Sequence, residues 1–311
     1  MNKNNISKGN KSRKRGLIRR KSRSKRKKER KIKVMEKCSP KSDDEILEYT
    51  CYTEEALHKI KKLWNLRHSD SKIESNNTKT IWKELKTKLS SSCNKESCWL
   101  KHKCIKDGIS KEVISNTFAP SQPDSWKKNP NEWLNSLDIQ NVMKQYEKTY
   151  KCFEFIGPSP IDFDTPKGYG ECVWDELCNF DLIKEIKDGK TKIGIIFNTD
   201  PHTKDGAHWI AMFINIKKKQ IIYMDSYGDK PPKEVTRLAN KIQEQSKKIG
   251  KEFEYIKITM RHQYSNSECG MYCLYFIIES LQGKNWTFFN KKKIPDKKMV
   301  KLRGIYFNKS N

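Results

Sequence analysis

From about residue 43 the apolar residues recur with helical spacing. Leu57, Ile60, Leu63 and Trp64 fall on one face of a helix over 54–66, and Thr53 is placed to cap it. Residues 70–79 are a polar loop, and a second short helix fits 81–89. Pro120, Pro123 and Pro130 then punctuate a linker, which sets a domain boundary near residues 118–130. Beyond it the spacing mixes. Helices are expected over 138–150, 174–186, 232–248 and 269–281, and strands over 152–156, 193–197 and 253–258. Segments 208–216 and 220–224 flank Lys217, Lys218 and Lys219 and read as a β-hairpin. Sheet and helices with an antiparallel hairpin make the class α+β. Three parts follow: a tail over 1–34, a helical N-terminal extension over 35–125 and a main domain over 126–311.

Charge sharpens the first of these parts. The 311 residues hold 65 Lys and Arg against 38 Asp and Glu, net +27. Residues 1–34 alone carry 17 basic residues and one acid, Glu29. Such a segment cannot bury apolar surface and is expected to be disordered on its own. It reads as a solubility tail, a nuclear-localisation signal or an arm that neutralises nucleic-acid phosphates. It offers no aromatic for base stacking. No run approaches 18 apolar residues, and the N-terminus has no apolar core of a secretory signal, so neither a membrane span nor a leader is expected. Ten cysteines in a long chain of this kind argue against a disulfide framework and for reduced thiols, metal ligands or a nucleophile.

Three segments carry candidate chemistry: AHWIAM around His208, YMDSYG around Asp225 and RHQYSNSECGMYC around Cys269. A cysteine nucleophile needs a base, and the base needs an orienting partner. Cys269 stands where an apolar helix begins, and positive helix N-termini favour thiolate. Gly270 would let a substrate approach the backbone. A hairpin with its tip at 217–219 sets position 208 opposite about 228, which brings His208 and Asp225 to the same open end. Gln263, six residues before Cys269, could donate to an oxyanion together with the Cys269 N–H.

These segments resemble the ubiquitin-like-protein protease family, which contains the SUMO proteases and the adenovirus protease. Its pattern is His-Trp, then Asp or Asn 17 residues on, then Gln-x5-Cys-Gly, met here by His208-Trp209, Asp225 and Gln263-x5-Cys269-Gly270. The resemblance covers about residues 130–285. It implies a papain-like superfold of the SUMO-protease type, with a mixed central sheet and flanking helices. It implies Cys269 as nucleophile, His208 as base, Asp225 as orienter and Gln263 as oxyanion donor; no metal and no cofactor are expected. Trp133-Leu134-Asn135 is similar to the family's Trp-Leu-Asn-Asp segment, with Ser136 departing from it. By that likeness Trp133 and Trp209 roof a narrow substrate channel, which favours cleavage after Gly-Gly or similar small pairs.

Taken singly, each residue has a plainer reading: a core cysteine, a structural histidine, a turn-forming aspartate. Their joint order and spacing favour the triad. Papain-like enzymes run Cys before His and do not fit. Chymotrypsin-like viral proteases share the order His, acid, Cys, but Ser267 replaces the Gly of their Gly-x-Cys-Gly and a helix is expected after Cys269. Cys93, Cys98, His102 and Cys104 form a weaker tetrahedral candidate, set against Cys98-Trp99-Leu100 packing in a helical core. His58, His68, His102, His202 and His262 are expected at the surface.

The Pro-Ile-Asp-Phe stretch at 160–163 and the N-terminal extension look like proteases of large cytoplasmic DNA viruses, and the Lys-, Asn- and Ile-rich composition suggests an AT-rich genome. The expected function is cleavage of viral core or capsid precursors during virion maturation, in the virion and host cytoplasm, with the nucleus as a further location. The alternative is removal of SUMO or another ubiquitin-like modifier. A basic nucleic-acid-binding protein with an incidental protease fold is a third reading, against which the presence of all four site residues speaks.

Overall fold

In the computed structural model, residues 32–33, 37–42 and 45–309 are described; the basic arm over 1–34 lies almost wholly outside them, and with it the nucleic-acid reading. A two-residue ribbon, β1 (Ile32–Lys33) with β2 (Lys41–Ser42), precedes the helical region. That region holds α1 (Glu54–Arg67), α2 (Thr78–Leu89), α3 (Glu96–Trp99) and α4 (Lys111–Thr117). Thr53 caps α1 through its side chain, which accepts from the Ala56 N–H, and Asn77 does the same for α2 from Thr80. Their apolar faces meet in one cluster that includes Leu57, Ile60, Trp64, Ile81, Leu85 and Trp99.

The second region runs α5 (Ser136–Thr149), β3 (Phe153–Ser159), α6 (Asp175–Cys178), α7 (Leu182–Lys187), β4 (Lys192–Asn198), β5 (Trp209–Asn215), β6 (Gln220–Met224), α8 (Lys233–Lys248), β7 (Glu254–Ile258), α9 (Cys269–Leu281), α10 (Trp286–Lys291) and α11 (Asp296–Tyr306). The five strands β3 to β7 lie in chain order. The outer pairs, β3 with β4 and β6 with β7, are parallel, and the inner pairs are antiparallel. The sheet is therefore mixed and the fold α+β, with helices on both faces.

Side chains alternate across a strand, so β5 feeds two cores at once. Trp209, Ala211 and Phe213 join α5, α9, α10 and α11 on one face. Ile210, Met212 and Ile214 join α8 and the α6–α7 segment on the other. Gly194 on β4 allows α9 to lie close: a Cβ there would stand 2.9 Å from Ile277 and 3.1 Å from Phe153. Burial of α9 is nearly complete on all sides, which explains why its sequence is apolar around its whole circumference.

Several expectations change. The helix expected over 174–186 is two short ones, because Asp181 accepts from the Ile183 and Lys184 N–H groups and starts a new helix at Leu182. Helices α10 and α11 had no counterpart in the periodicity. Six cysteines are paired as Cys38–Cys51, Cys93–Cys98 and Cys172–Cys178, against the expectation of reduced thiols. Their Cα atoms are 5.2, 5.6 and 6.2 Å apart, within the range a disulfide spans. Each links positions at most 13 residues apart, so loop closure alone brings them together without a global framework. The Cys93–Cys98 bond removes both sulfurs from the tetrahedral candidate. Cys104, Cys152, Cys269 and Cys273 are free thiols. His262 is fully buried rather than at the surface, its Nδ1 accepting from the Ile294 N–H.

Candidate active site

The β5–β6 hairpin pairs Ala211 with Met224, a register that carries position 208 opposite 227, one residue from the expected partner. His208 immediately precedes β5 and Asp225 immediately follows β6, so the same end of the ribbon presents both. His208 Nε2 and Asp225 Oδ1 are 2.8 Å apart. The carboxylate is buried and also accepts from the Tyr227 N–H at 2.9 Å, which fixes its orientation. With Nε2 committed to Asp225, the remaining ring nitrogen is Nδ1, and Cys269 is near enough to raise the proton affinity of the ring.

Cys269 is the first residue of α9, so its N–H precedes the helix's own ladder and its sulfur sits at the positive end of a 13-residue helix. Burial alone would lower the proton affinity of His208; the hydrogen bonds to Asp225 and Cys269 outweigh it and push the imidazole up to about 9. At neutral pH the ring is then an imidazolium, the counter-ion that a cysteine thiolate requires.

Gln263 arrives through a backbone zipper: the N–H groups of His262 and Gln263 both donate to the Ser226 carbonyl, at 2.9 and 2.8 Å. Its side chain is buried, with Oε1 accepting from Ser226 Oγ at 2.6 Å. That bond identifies Nε2 as the donor end. Nε2 donates to the Ser265 carbonyl at 2.7 Å and stands 3.4 Å from Tyr227 Oη, a long contact that a better acceptor could replace.

Trp209 is buried, and its Nε1 donates to the Leu134 carbonyl at 2.8 Å. Trp133, the preceding residue, is 43% exposed. Asn135 caps α5 in a reciprocal box with Asp138, which anchors this segment. The space beside Gly270 is occupied by Leu134, whose Cβ would lie 3.0 Å from a Cβ added there. A glycine at 270 therefore makes room for Leu134, a neighbour that the sequence did not point to.

Two further residues were not singled out by sequence reasoning. The Tyr227 ring stacks on His208 at 4.8 Å between centroids, steadying the imidazole. Glu268, directly before Cys269, is buried and ion-paired with Arg303 Nε at 3.0 Å. Tyr227 was within reach of the reasoning, lying two residues after Asp225; Arg303 was not, because only the tertiary fold brings α11 to α9.

Known proteins resemble this chain over most of its length. A thiol protease of Acanthamoeba polyphaga mimivirus is 27% identical over 278 residues, covering 83% of this chain and 89% of the relative. A protein of African swine fever virus named SUMO-1 cysteine protease is 27% identical over 266 residues, covering 78% of this chain and 93% of its own length. The crystal structure of the African swine fever virus protease superposes with a TM-score of 0.65 at 22% identity, covering 89% of this chain and 98% of that one. This is the same fold. Residues 138–310 match the C-terminal catalytic domain of the Ulp1 proteases. The chain belongs to the Ulp1 protease family and is a viral cysteine protease of the SUMO-protease type.

Proposed function

We propose that Cys269 is the nucleophile, His208 the general base and acid, Asp225 its orienting partner and Gln263 an oxyanion donor. The observation that carries this reading is the His208 ring held by Asp225 at 2.8 Å with Cys269 near enough to raise its proton affinity. The sulfur of Cys269, its proton held by His208, attacks the scissile carbonyl carbon. The carbonyl oxygen becomes an oxyanion, which the Cys269 N–H and Gln263 Nε2 stabilise. His208 then gives its proton to the departing amine, leaving a thioester. Water, deprotonated by His208, hydrolyses the thioester and restores the thiol.

The substrates in this reading are viral core or capsid precursors, cut after Gly-Gly or similar small residues during maturation in the virion and host cytoplasm. Its support is the viral company of the sequence, the burial of Cys269 and of Trp209, whose indole is tethered to the Leu134 carbonyl, and the exposed Trp133 that precedes Leu134. A second reading, release of a SUMO-like modifier, is favoured by the name of the African swine fever virus relative. Incubation with virion core precursors and with SUMO-conjugated protein in parallel, followed by N-terminal mapping of products, separates the two. Cleavage of precursors at small-residue sites, absent with Cys269→Ala, is expected; turnover of the SUMO conjugate alone would overturn the maturation role.

A further inference from the structure

A row of rings and cations leads away from the His208 imidazole. The Tyr227 ring stacks on His208 at 4.8 Å between centroids. The Arg261 guanidinium carbon stands 5.4 Å from the centre of the Tyr227 ring and 4.8 Å from that of the Tyr264 ring. Lys293 Nζ follows, 3.7 Å from the centre of the Tyr264 ring. Arg261, Tyr264 and Lys293 are exposed, whereas Tyr227 is half-buried. The backbone fixes this row against the site. Gly228, at φ +81°, brings the turn after Asp225 so close that a Cβ there would stand 3.0 Å from the Arg261 nitrogen. The Tyr264 N–H donates to Asp296 Oδ2 at 3.1 Å.

The Arg261 guanidinium is held but not neutralised. Its Nε donates to the Gln263 carbonyl at 3.0 Å, and the two rings attract its charge. Among the described residues no carboxylate lies within ion-pairing distance of Arg261 or Lys293. Asp296 is spent on the Tyr264 and Ser265 N–H groups and the Tyr272 hydroxyl. A guanidinium braced in this way loses little rotamer freedom on binding, and its two Nη groups match the two oxygens of a carboxylate. Location decides what supplies that carboxylate. The spacings of 4.8 and 5.4 Å put the guanidinium carbon within about 10 Å of the imidazole centre, roughly the length of three extended residues. We propose that Arg261, braced by Tyr227 and Tyr264, selects substrates carrying Asp or Glu at one position within about three residues of the scissile bond. Lys293 adds to the attraction from the far side of the row. This specificity rests on Cys269 as the attacking group and adds a charge requirement to the small residues at the cut.

The test digests a diverse peptide library with the full chain and maps the residues around each cut by mass spectrometry. Wild type should favour Asp or Glu over Ala about fivefold at one flanking position. Two peptides differing only there should differ in KM rather than kcat, because the contact is remote from the reacting bond. Arg261→Glu should reverse the preference towards Lys or Arg at that position, and Arg261→Gln should abolish it. Each preference is a ratio within one enzyme, so a general loss of activity does not imitate the effect, and thermal melts check that the variants fold. No acidic preference in wild type, or one left unchanged in both variants, would overturn the proposal. Failure of the underlying reading looks different: cutting retained in Cys269→Ala removes the nucleophile, and cuts lacking small residues at the bond remove that requirement.

Discussion

In the sheet region, alternate strand residues fill two apolar cores, and the segments that carry the candidate site hold the buried polar groups Asp225, Ser226, Gln263 and Glu268. In the helical region over 50–118 the polar hub serves architecture instead. Glu96 accepts from Thr50 Oγ1 at 2.8 Å, from the Cys51 N–H at 3.2 Å and from Trp82 Nε1, while its own carbonyl takes the Tyr52 hydroxyl at 2.6 Å. Both regions place a carboxylate among several donors. Around Asp225 one of those donors is a titrating ring that also touches a thiol; around Glu96 none titrates near neutrality. The same polar device therefore makes a site in one place and a joint in the other. Substitutions should separate accordingly into those that change turnover and those that change stability.

The largest expected effect is at Cys269. Cys269→Ala should lower kcat by about 10⁵-fold or more while the melting temperature moves by no more than a few degrees, since one sulfur is lost without a large cavity. Cleavage of a small-residue peptide and a thermal melt check it; turnover equal to wild type would remove Cys269 from its role. Gln263→Ala comes next, with kcat down by about 10- to 1000-fold and KM little changed, because the amide acts on charge that develops in the transition state. A change confined to KM would assign Gln263 to ground-state binding, or to holding Ser226 and Ser265.

The pH dependence follows from His208. Its folded-state proton affinity is raised from 6.5 to about 9, so the stability it contributes is fully present below pH 6.5 and is lost as pH rises through about 9. Activity should fall over the same alkaline window as the imidazolium is lost. Asp225→Asn should draw the alkaline limb of kcat/KM to lower pH, which a pH–rate profile detects; an unmoved limb would show that Asp225 does not hold the proton. The smallest effect on turnover belongs to the other carboxylate. Glu96→Ala should cost about 2 kcal/mol of stability by leaving buried donors unpaired, with kcat/KM within about twofold of wild type. If turnover fell with it, the two regions would be mechanically coupled.

The sequence was most readable where one requirement dominated. The continuous apolar run of α9 had a single solution, burial on all sides, and its limits, Cys269 and Leu281, coincide with those expected. Strand β6 was equally well defined by its apolar residues between the turn lysines 217–219 and Asp225-Ser226. The α6–α7 segment misled because an apolar pattern continued across Asp181, whose side chain competes with the helix for backbone N–H groups. Helices α10 and α11 were obscured by a lysine-rich sequence in which the buried residues Phe289, Met299, Arg303 and Tyr306 are widely spaced. In the site, spacing brought His208 and Asp225 to one end of a hairpin, but missed its register by one residue. The contacts of Tyr227 with His208 and of Glu268 with Arg303 depend on rings and helices meeting in space, for which spacing carries no signal.

Leu134 has a consequence for how this chain can change over time. Its carbonyl holds the Trp209 indole, and its side chain fills the space that Gly270 leaves open. Three positions far apart along the chain thus form one lock. A larger residue at 270 would meet Leu134, a smaller one at 134 would open a hole against α9, and loss of the indole would strand a carbonyl. Drift at any one of them is tolerable only with a matching change at another. Among relatives, residues 134, 209 and 270 should be inherited as a set, and a graft of any one alone should fail where the trio succeeds.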